Sequence, residues 1–305
     1  MFVIKRLFEL APVLLIVSFC AFSLVRIVPG GPFDGERELS VEARKAIEEK
    51  YHLDKPLMSQ YFHFLGNIFK GDLGLSMKYQ NHNVTDIIKQ GLPVSTILGL
   101  SSFIVSLTLG IIMGVIAAWR KNYISGKILI LLALVFVCVP SMVLGPLLIL
   151  VFAIYIPLFP TSFLSTPWHA VLPVTTLSVY YAGKISRLVS DGLIEALESD
   201  YIRTARSKGV SSLSLLFKHA LPMGLLPVIS YSGPLLADLL TGSFVVENLF
   251  QIPGLGTFLI NSSLNRDHTM VVGLVLVYSV LIISFNILVD LLYSKVDPRI
   301  RSQES

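Results

Sequence analysis

Charge is scarce in this chain. Asp, Glu, Lys and Arg make up 14% of its 305 residues and hydrophobic residues 53%, where soluble domains carry roughly a quarter charged residues. That deficit excludes an ordinary soluble globule, and a mean hydropathy of +0.73 points to a polytopic membrane protein. Cysteine is nearly absent: Cys20 and Cys138 each fall inside an apolar run, where they read as small hydrophobes rather than disulfide or metal partners. The six His are scattered, with no His-x-x-x-His pair and no Cys-x-x-Cys, so no metal site is expected. No G-x-x-x-x-G-K-[ST] occurs, which leaves the chain without a P-loop of its own. No Gly-x-Ser-x-Gly elbow supports an embedded hydrolase, and no catalytic residue is assigned.

What is present in quantity is apolar sequence in long runs. A membrane-crossing helix needs about 20 such residues. Six runs meet that length: Leu7–Val28, Ser95–Ala118, Lys127–Ile154, Ala170–Ser190, Met223–Val246 and Thr269–Tyr293. Pro140, Pro146, Pro173, Pro227 and Gly233 lie inside them, which spanning helices tolerate when neighbours re-satisfy the backbone. The fold class expected is therefore an all-α membrane protein of six helices. The first run follows Lys5-Arg6, is too long for a secretory h-region and leads to Val28-Pro29-Gly30-Gly31-Pro32 rather than a cleavage site, so it is expected to be a retained helix.

Basic residues set the orientation. Lys5 and Arg6 precede the first run, Arg120, Lys121 and Lys127 fill the next inner turn, and Lys295, Arg299 and Arg301 follow the last run. The alternate turn, Tyr155 to Trp168, carries no charge. Both termini and the segment before the fifth run are thus expected in the cytoplasm. The net charge of +4 is mostly this orientation signal and gives no support to a nucleic-acid partner.

One sizeable polar segment, Phe33 to Leu92, lies between the first two runs and is expected outside. Val41–Tyr51 carries helix formers with Ala43, Ala46 and Ile47 on one side. Tyr61, Phe62, Phe64, Leu65, Ile68 and Phe69 give a second amphipathic stretch, closed by Gly71-Asp72-Leu73-Gly74. Its aromatics, Tyr61 and Phe64 in particular, are candidate contacts for an external partner. A further outer segment, Glu247 to His268, contains Ile252-Pro253-Gly254-Leu255-Gly256, expected as a tight loop dipping toward the bundle. The polar tail Arg299–Ser305 is expected to fray. The organisation is 1–93 for the first helix and external segment, 94–294 for the core of five helices, and 295–305 for the tail.

The most patterned stretch is Asp200–Pro222, DYIRTARSKGVSSLSLLFKHALP. Acids (Glu195, Glu198, Asp200) precede bases (Arg203, Arg206, Lys208), and Gly209 follows. That order predicts a short helix capped by Asp200, with bases on its negative end and Gly209 in the left-handed cap. A second helix is expected from Ser211 or Ser212, with Pro222 near the membrane. A solvated turn obeying the orientation rule would need no such spacing.

The clearest acid at membrane depth is Asp238, alone in GPLLADLLTGS. It faces a water-filled cavity or a neighbouring helix, or it contacts a cationic group in a transport path. Asp290 lies near the inner end of the last run. Paired intramembrane charges and internal repeats, expected of an ion-coupled carrier, are not seen.

Here the residues resemble a known family. Ala205-x-x-x-Gly209 followed by Leu221-Pro222 resembles the EAA loop of ABC-importer permeases, with Arg203 and Thr204 replacing its first two letters and His219 its Ile. The Arg-Thr-Ala-Arg-x-Lys-Gly version is similar to the peptide-importer branch. Val28–Ser40, Glu48–Phe62, TGSFVVENLFQIPGLG, LNRDHTMV and VDLLYSKVDPRIR resemble oligopeptide permease subunits of the B type. At Asp238 the resemblance leads one to expect Gly or another small residue.

The resemblance implies a type I importer bundle in the inner membrane, translocating oligopeptides inward by alternating access. It implies a homologous second permease subunit, two ATP-binding subunits carrying ATP and Mg, an external peptide-binding protein and surrounding lipid, with no cofactor in this chain itself. It assigns coupling to Asp200, Tyr201, Arg203, Thr204, Ala205, Arg206, Lys208, Gly209, Leu221 and Pro222. Dipeptides or nickel as cargo, and an ion-coupled carrier of a different class, are the alternatives.

Overall fold

The structure, a computed structural model, describes residues 2–27, 55–79, 81–161, 166–241 and 244–296, with side chains described between 12 and 288. The expected helix at Val41–Tyr51, the tail Arg299–Ser305 and the side chains of Lys5, Arg6 and Asp290 lie outside the described residues. Within them the chain is helical, with one antiparallel bridge between Leu75 and Asn83. Two compact units are formed, one from 1–94 with 253–281 and one from 95–252 with 282–305.

The first unit contains α1 (Phe2–Ile27), α2 (Leu57–Ile68), the start of α3 (Val84–Trp119), α12 (Leu255–Leu264) and most of α13 (His268–Val296). The amphipathic stretch forms α2 as expected, and Gly71 (φ +77°) and Gly74 (φ +90°) make the turn after it. Asp72 accepts hydrogen bonds there from Gly74 N–H (2.9 Å) and Asn83 Nδ2 (2.7 Å). Phe22, Tyr61, Val272 and Leu276 form one core; Val84, Ile87, Ile88, Leu255, Met270 and Leu274 form another. Asp267 is fully buried and caps α13 by accepting the Met270 N–H at 3.1 Å. The same carboxylate accepts from the Ser76 hydroxyl and from Met77 N–H at 3.1 Å, tying the loop after α2 to α13.

The second unit is organised along α6 (Pro167–Glu198), against which α4 (Ile124–Cys138) and α5 (Ser141–Ile149) pack. Close approach needs small residues. On α3, Gly110 and Gly114 form a Gly-x-x-x-Gly face; a Cβ at Gly114 would sit 2.6 Å from the Ser186 carbonyl oxygen. A Cβ at Gly183 would likewise sit 2.6 Å from the Ala133 oxygen. The remaining elements are α7 (Asp200–Ser207), α8 (Ser212–Ser214), α9 (Leu221–Gly224), α10 (Leu226–Leu240) and α11 (Phe244–Leu249).

Several boundaries differ from expectation. Helix α3 starts at Val84, not Ser95, so the end of the expected external segment is helical. The expected third span breaks at Val139-Pro140, where α4 meets Ser141–Tyr155 at 101°. The cause is Pro140, which holds Val139 in an extended conformation (φ −84°, ψ 115°) and cannot donate back into α4. Leu255-Gly256 opens α12 instead of remaining loop, with Gly254 as its N-cap. By length and apolarity, α3, Leu226–Leu249 and His268–Leu288 suit membrane crossing among the described residues, and the bent pair makes a fourth. Helix α6 falls short, its C-terminal half carrying Lys184, Arg187, Asp191 and Glu195.

Candidate functional site: an exposed helix on a buried anchor

Helix α7 is eight residues long, Asp200–Ser207, or about 12 Å. Its acid-to-base order matches the helix dipole, but the N-cap is Ser199, not Asp200. Ser199 has extended backbone (φ −71°, ψ 154°) and also ends α6, so Asp200 becomes the first helical residue. Its carboxylate lies 3.8 Å from the Arg203 guanidinium, an exposed pair of little energetic weight.

The C-terminus closes as a Schellman motif. Gly209 N–H donates to the Arg206 carbonyl at 3.0 Å and Val210 N–H to the Ala205 carbonyl at 3.3 Å, with Gly209 at φ +81°. The left-handed cap expected of Gly209 is thus formed.

One face of α7 is an anchor. Ile202 is fully buried among Ala118, Leu193, Ala196, Leu215, Leu216 and Ala220, with Ala205, Val210 and Leu221 packed against them. The opposite face presents Asp200, Tyr201, Arg203, Thr204, Arg206 and Lys208, all exposed. Tyr201 reaches back to donate to the His219 carbonyl at 3.3 Å. Nearby, the Lys121 ammonium pairs with Glu198 at 2.5 Å, joining the α3–α4 turn to the end of α6.

The return leg begins at Ser212, as expected, and passes through a wide helical turn, Leu215–Ala220. There Leu221 N–H donates to the Leu216 carbonyl, one residue beyond the α pattern. The wide register precedes Pro222, whose ring would crowd an α-positioned carbonyl and which lacks a donor. Leu221 is half-buried and Pro222 exposed. Gly224 then lies against Gly192 and Leu193 of α6, so that a Cβ on either glycine would meet backbone at about 3 Å. No local pattern announces this crossing; its only signal is two isolated glycines, Gly192 beside Asp191 and Gly224 at the start of the fifth apolar run.

Asp238 is placed apart from α7, in a cavity of about 480 Å³ in the same unit. It accepts a hydrogen bond from the Tyr181 hydroxyl of α6. The cavity is walled by Val137–Ser141 at the Pro140 bend and by Thr176, Leu177, Tyr180 and Leu239.

Tyr61 is not presented outward. It is 7% exposed, and its hydroxyl shares a 2.8 Å hydrogen bond with Ser18 and donates to the Leu15 carbonyl at 3.1 Å. Its role as an external contact is therefore corrected: a phenol with both ends satisfied inside the fold is a packing residue. Phe64 packs on the same core, while Phe62 and Phe69 are 67% and 86% exposed.

Residues 110–302 match the family of binding-protein-dependent transport system inner membrane components, and residues 1–99 match the family of their N-terminal parts. The chain belongs to this family. Among its relatives, the oligopeptide transport system permease protein OppB of Haemophilus influenzae is 42% identical over 98% of this chain and 99% of its own. OppB of Escherichia coli K12 is 40% identical over 98% of this chain and 99% of its own. The dipeptide transport system permease protein DppB of Bacillus subtilis is 39% identical over 98% and 97%. Among solved structures, inward-facing MetNI, a methionine ABC transporter, matches with a TM-score of 0.59 at 16% identity, covering 69% of this permease and 96% of that chain. That likeness is one of fold.

Proposed function

We propose that this chain is the membrane-spanning subunit of an ATP-driven importer that moves peptides inward by alternating access. The single observation that carries the mechanism is α7: a rigidly capped helix with Ile202 locked in the core and a polar, cationic face left exposed. Such an element transmits force. A partner that grips the exposed face moves the α6 end and the return leg with it, because all three share one buried cluster.

The gripping partner is one of two ATP-binding subunits, which carry the ATP and Mg. A homologous second permease completes the path, and an external binding protein delivers the peptide. Peptide cargo is supported by the relatives, which are oligopeptide and dipeptide permeases at 39–42% identity over 98% of the chain. We take α1, α3, the bent α4–α5 pair, α6, α10 with α11, and α13 as six crossings, with both termini cytoplasmic and the 33–92 segment outside. Dipeptides are a second reading for the cargo, favoured by the DppB relatives of Bacillus subtilis and Lactococcus lactis.

The test is reconstitution of the complete importer in liposomes with labelled peptides of graded length. Uptake that requires ATP and the binding protein is expected, and the length profile separates the two cargo readings. Uptake that follows an ion gradient and persists without the ATP-binding subunits would overturn the proposal.

A further inference from the structure

We propose that Asp238, oriented by Tyr181, receives an ammonium group of the peptide in transit, and so makes this permease selective for the charge state of its cargo. The inference rests on the peptide-importer reading above.

Asp238 sits in an apolar stretch of α10 whose members Leu235, Leu236, Ala237, Leu239 and Leu240 are all buried, while Asp238 itself is exposed to the cavity. A carboxylate at membrane depth is costly against lipid and belongs against water or a cation. Its hydrogen bond from Tyr181 uses Oδ2, which fixes the group and leaves Oδ1 directed elsewhere. Among the described residues, no Lys or Arg forms an ion pair with it.

The cation is better an ammonium than a metal ion. Among the described residues no group of three or more His, Cys, Asp or Glu is assembled here, and hard divalent ions need several oxygen ligands. Aromatic faces do suit an alkylammonium. Next to the cavity an ammonium is already held in this way: that of Lys184, one turn along α6 from Tyr181, lies 4.6 Å from the Tyr180 ring centroid and 5.9 Å from that of Tyr231. Tyr180 lines the cavity beside Asp238. A peptide offers an ammonium either at its N-terminus or on a Lys side chain.

The experiment compares the complete importer carrying wild-type, Asp238→Asn, Asp238→Glu or Tyr181→Phe chains, each first checked for assembly and basal ATP hydrolysis. Three labelled peptides are used: trialanine, N-acetyl-trialanine, and an N-acetyl peptide containing one Lys. Asp238→Asn is expected to lower trialanine uptake roughly tenfold, the ratio given by losing one charge-assisted hydrogen bond, with N-acetyl-trialanine unchanged. Asp238→Glu retains the preference, and Tyr181→Phe weakens it in the same direction. A parallel drop for the Lys peptide assigns the site to any ammonium; no drop assigns it to the N-terminus. Equal effects on trialanine and N-acetyl-trialanine, or no effect on either, would overturn the proposal. A wild-type importer that moves no peptide at all would refute the parent reading, and this inference with it.

Discussion

Val210 donates its backbone N–H to the carbonyl of Ala205 at 3.3 Å, and both side chains pack on the core beneath α7. The exposed helix is thereby closed by backbone and fastened by apolar contact at the same point. Gly209, between them, is what lets the chain turn: its φ of +81° lies in the left-handed region, and nothing stands within 4 Å of a Cβ placed there. A side chain at this position is strained by its backbone rather than by a clash.

Gly209→Ala should therefore destabilise the turn by about 1 kcal/mol, and Gly209→Arg should add bulk beside the exposed face of α7. The expected outcome for the Arg variant is normal membrane insertion with loss of the co-purifying ATP-binding subunits. Normal peptide uptake at normal expression would show that the turn is not needed for coupling.

Ile202 is the anchor. Ile202→Ala should cost about 2–5 kcal/mol through the cavity it leaves, and Ile202→Val about 1 kcal/mol. Thermal unfolding of the purified assembly in detergent measures this. The Ala variant should also uncouple ATP hydrolysis from uptake, since a loosened helix no longer pulls on α6. An Ala variant as stable and as tightly coupled as wild type would contradict the anchoring role.

Tyr61→Phe tests the corrected role of Tyr61. It removes hydrogen bonds to Ser18 and the Leu15 carbonyl from a buried site, at an expected cost of about 1 kcal/mol. Binding-protein affinity should stay unchanged, because the hydroxyl is used inside the fold. A specific loss of that affinity without loss of stability would restore the residue as an external contact.

Asp72 gives a pH prediction. Its carboxyl is held below the ordinary Asp range by the Asn83 side chain and the Gly74 N–H, with slight burial opposing. A depressed carboxylate stabilises the fold above its unfolded pKa and loses that contribution as pH falls through the folded value. The turn at 71–74 should therefore loosen below about pH 4, read as faster amide exchange at Gly74. Asp72→Asn should abolish that acid-dependent step; an unchanged step would assign it to another group.

The cap at Gly209, the restart at Ser212 and the amphipathic helix at Leu57–Ile68 were legible because each rests on local chemistry: a left-handed glycine, the chain resuming its helix just after that turn, a helical apolar period. Ser199 was missed since both Ser199 and Asp200 make acceptable caps, and only the end of α6 decides between them. The bend at Pro140 was hidden inside an unbroken apolar run; proline permits a kink there, and packing determines its size. Tyr61 was misread because its sequence neighbours are equally aromatic and only the approach of α1 selects which ring is buried. Gly192 with Gly224, and Tyr181 with Asp238, are long-range pairings that no local pattern announces.

The central claim is that the exposed face of α7 is held by an ATP-binding subunit. A photo-crosslinking residue at Thr204, on that face, should capture an ATP-binding subunit in the assembled importer and lose it in the Gly209→Arg background. Capture of lipid alone at Thr204, with the ATP-binding subunits bound elsewhere on the chain, would contradict the account.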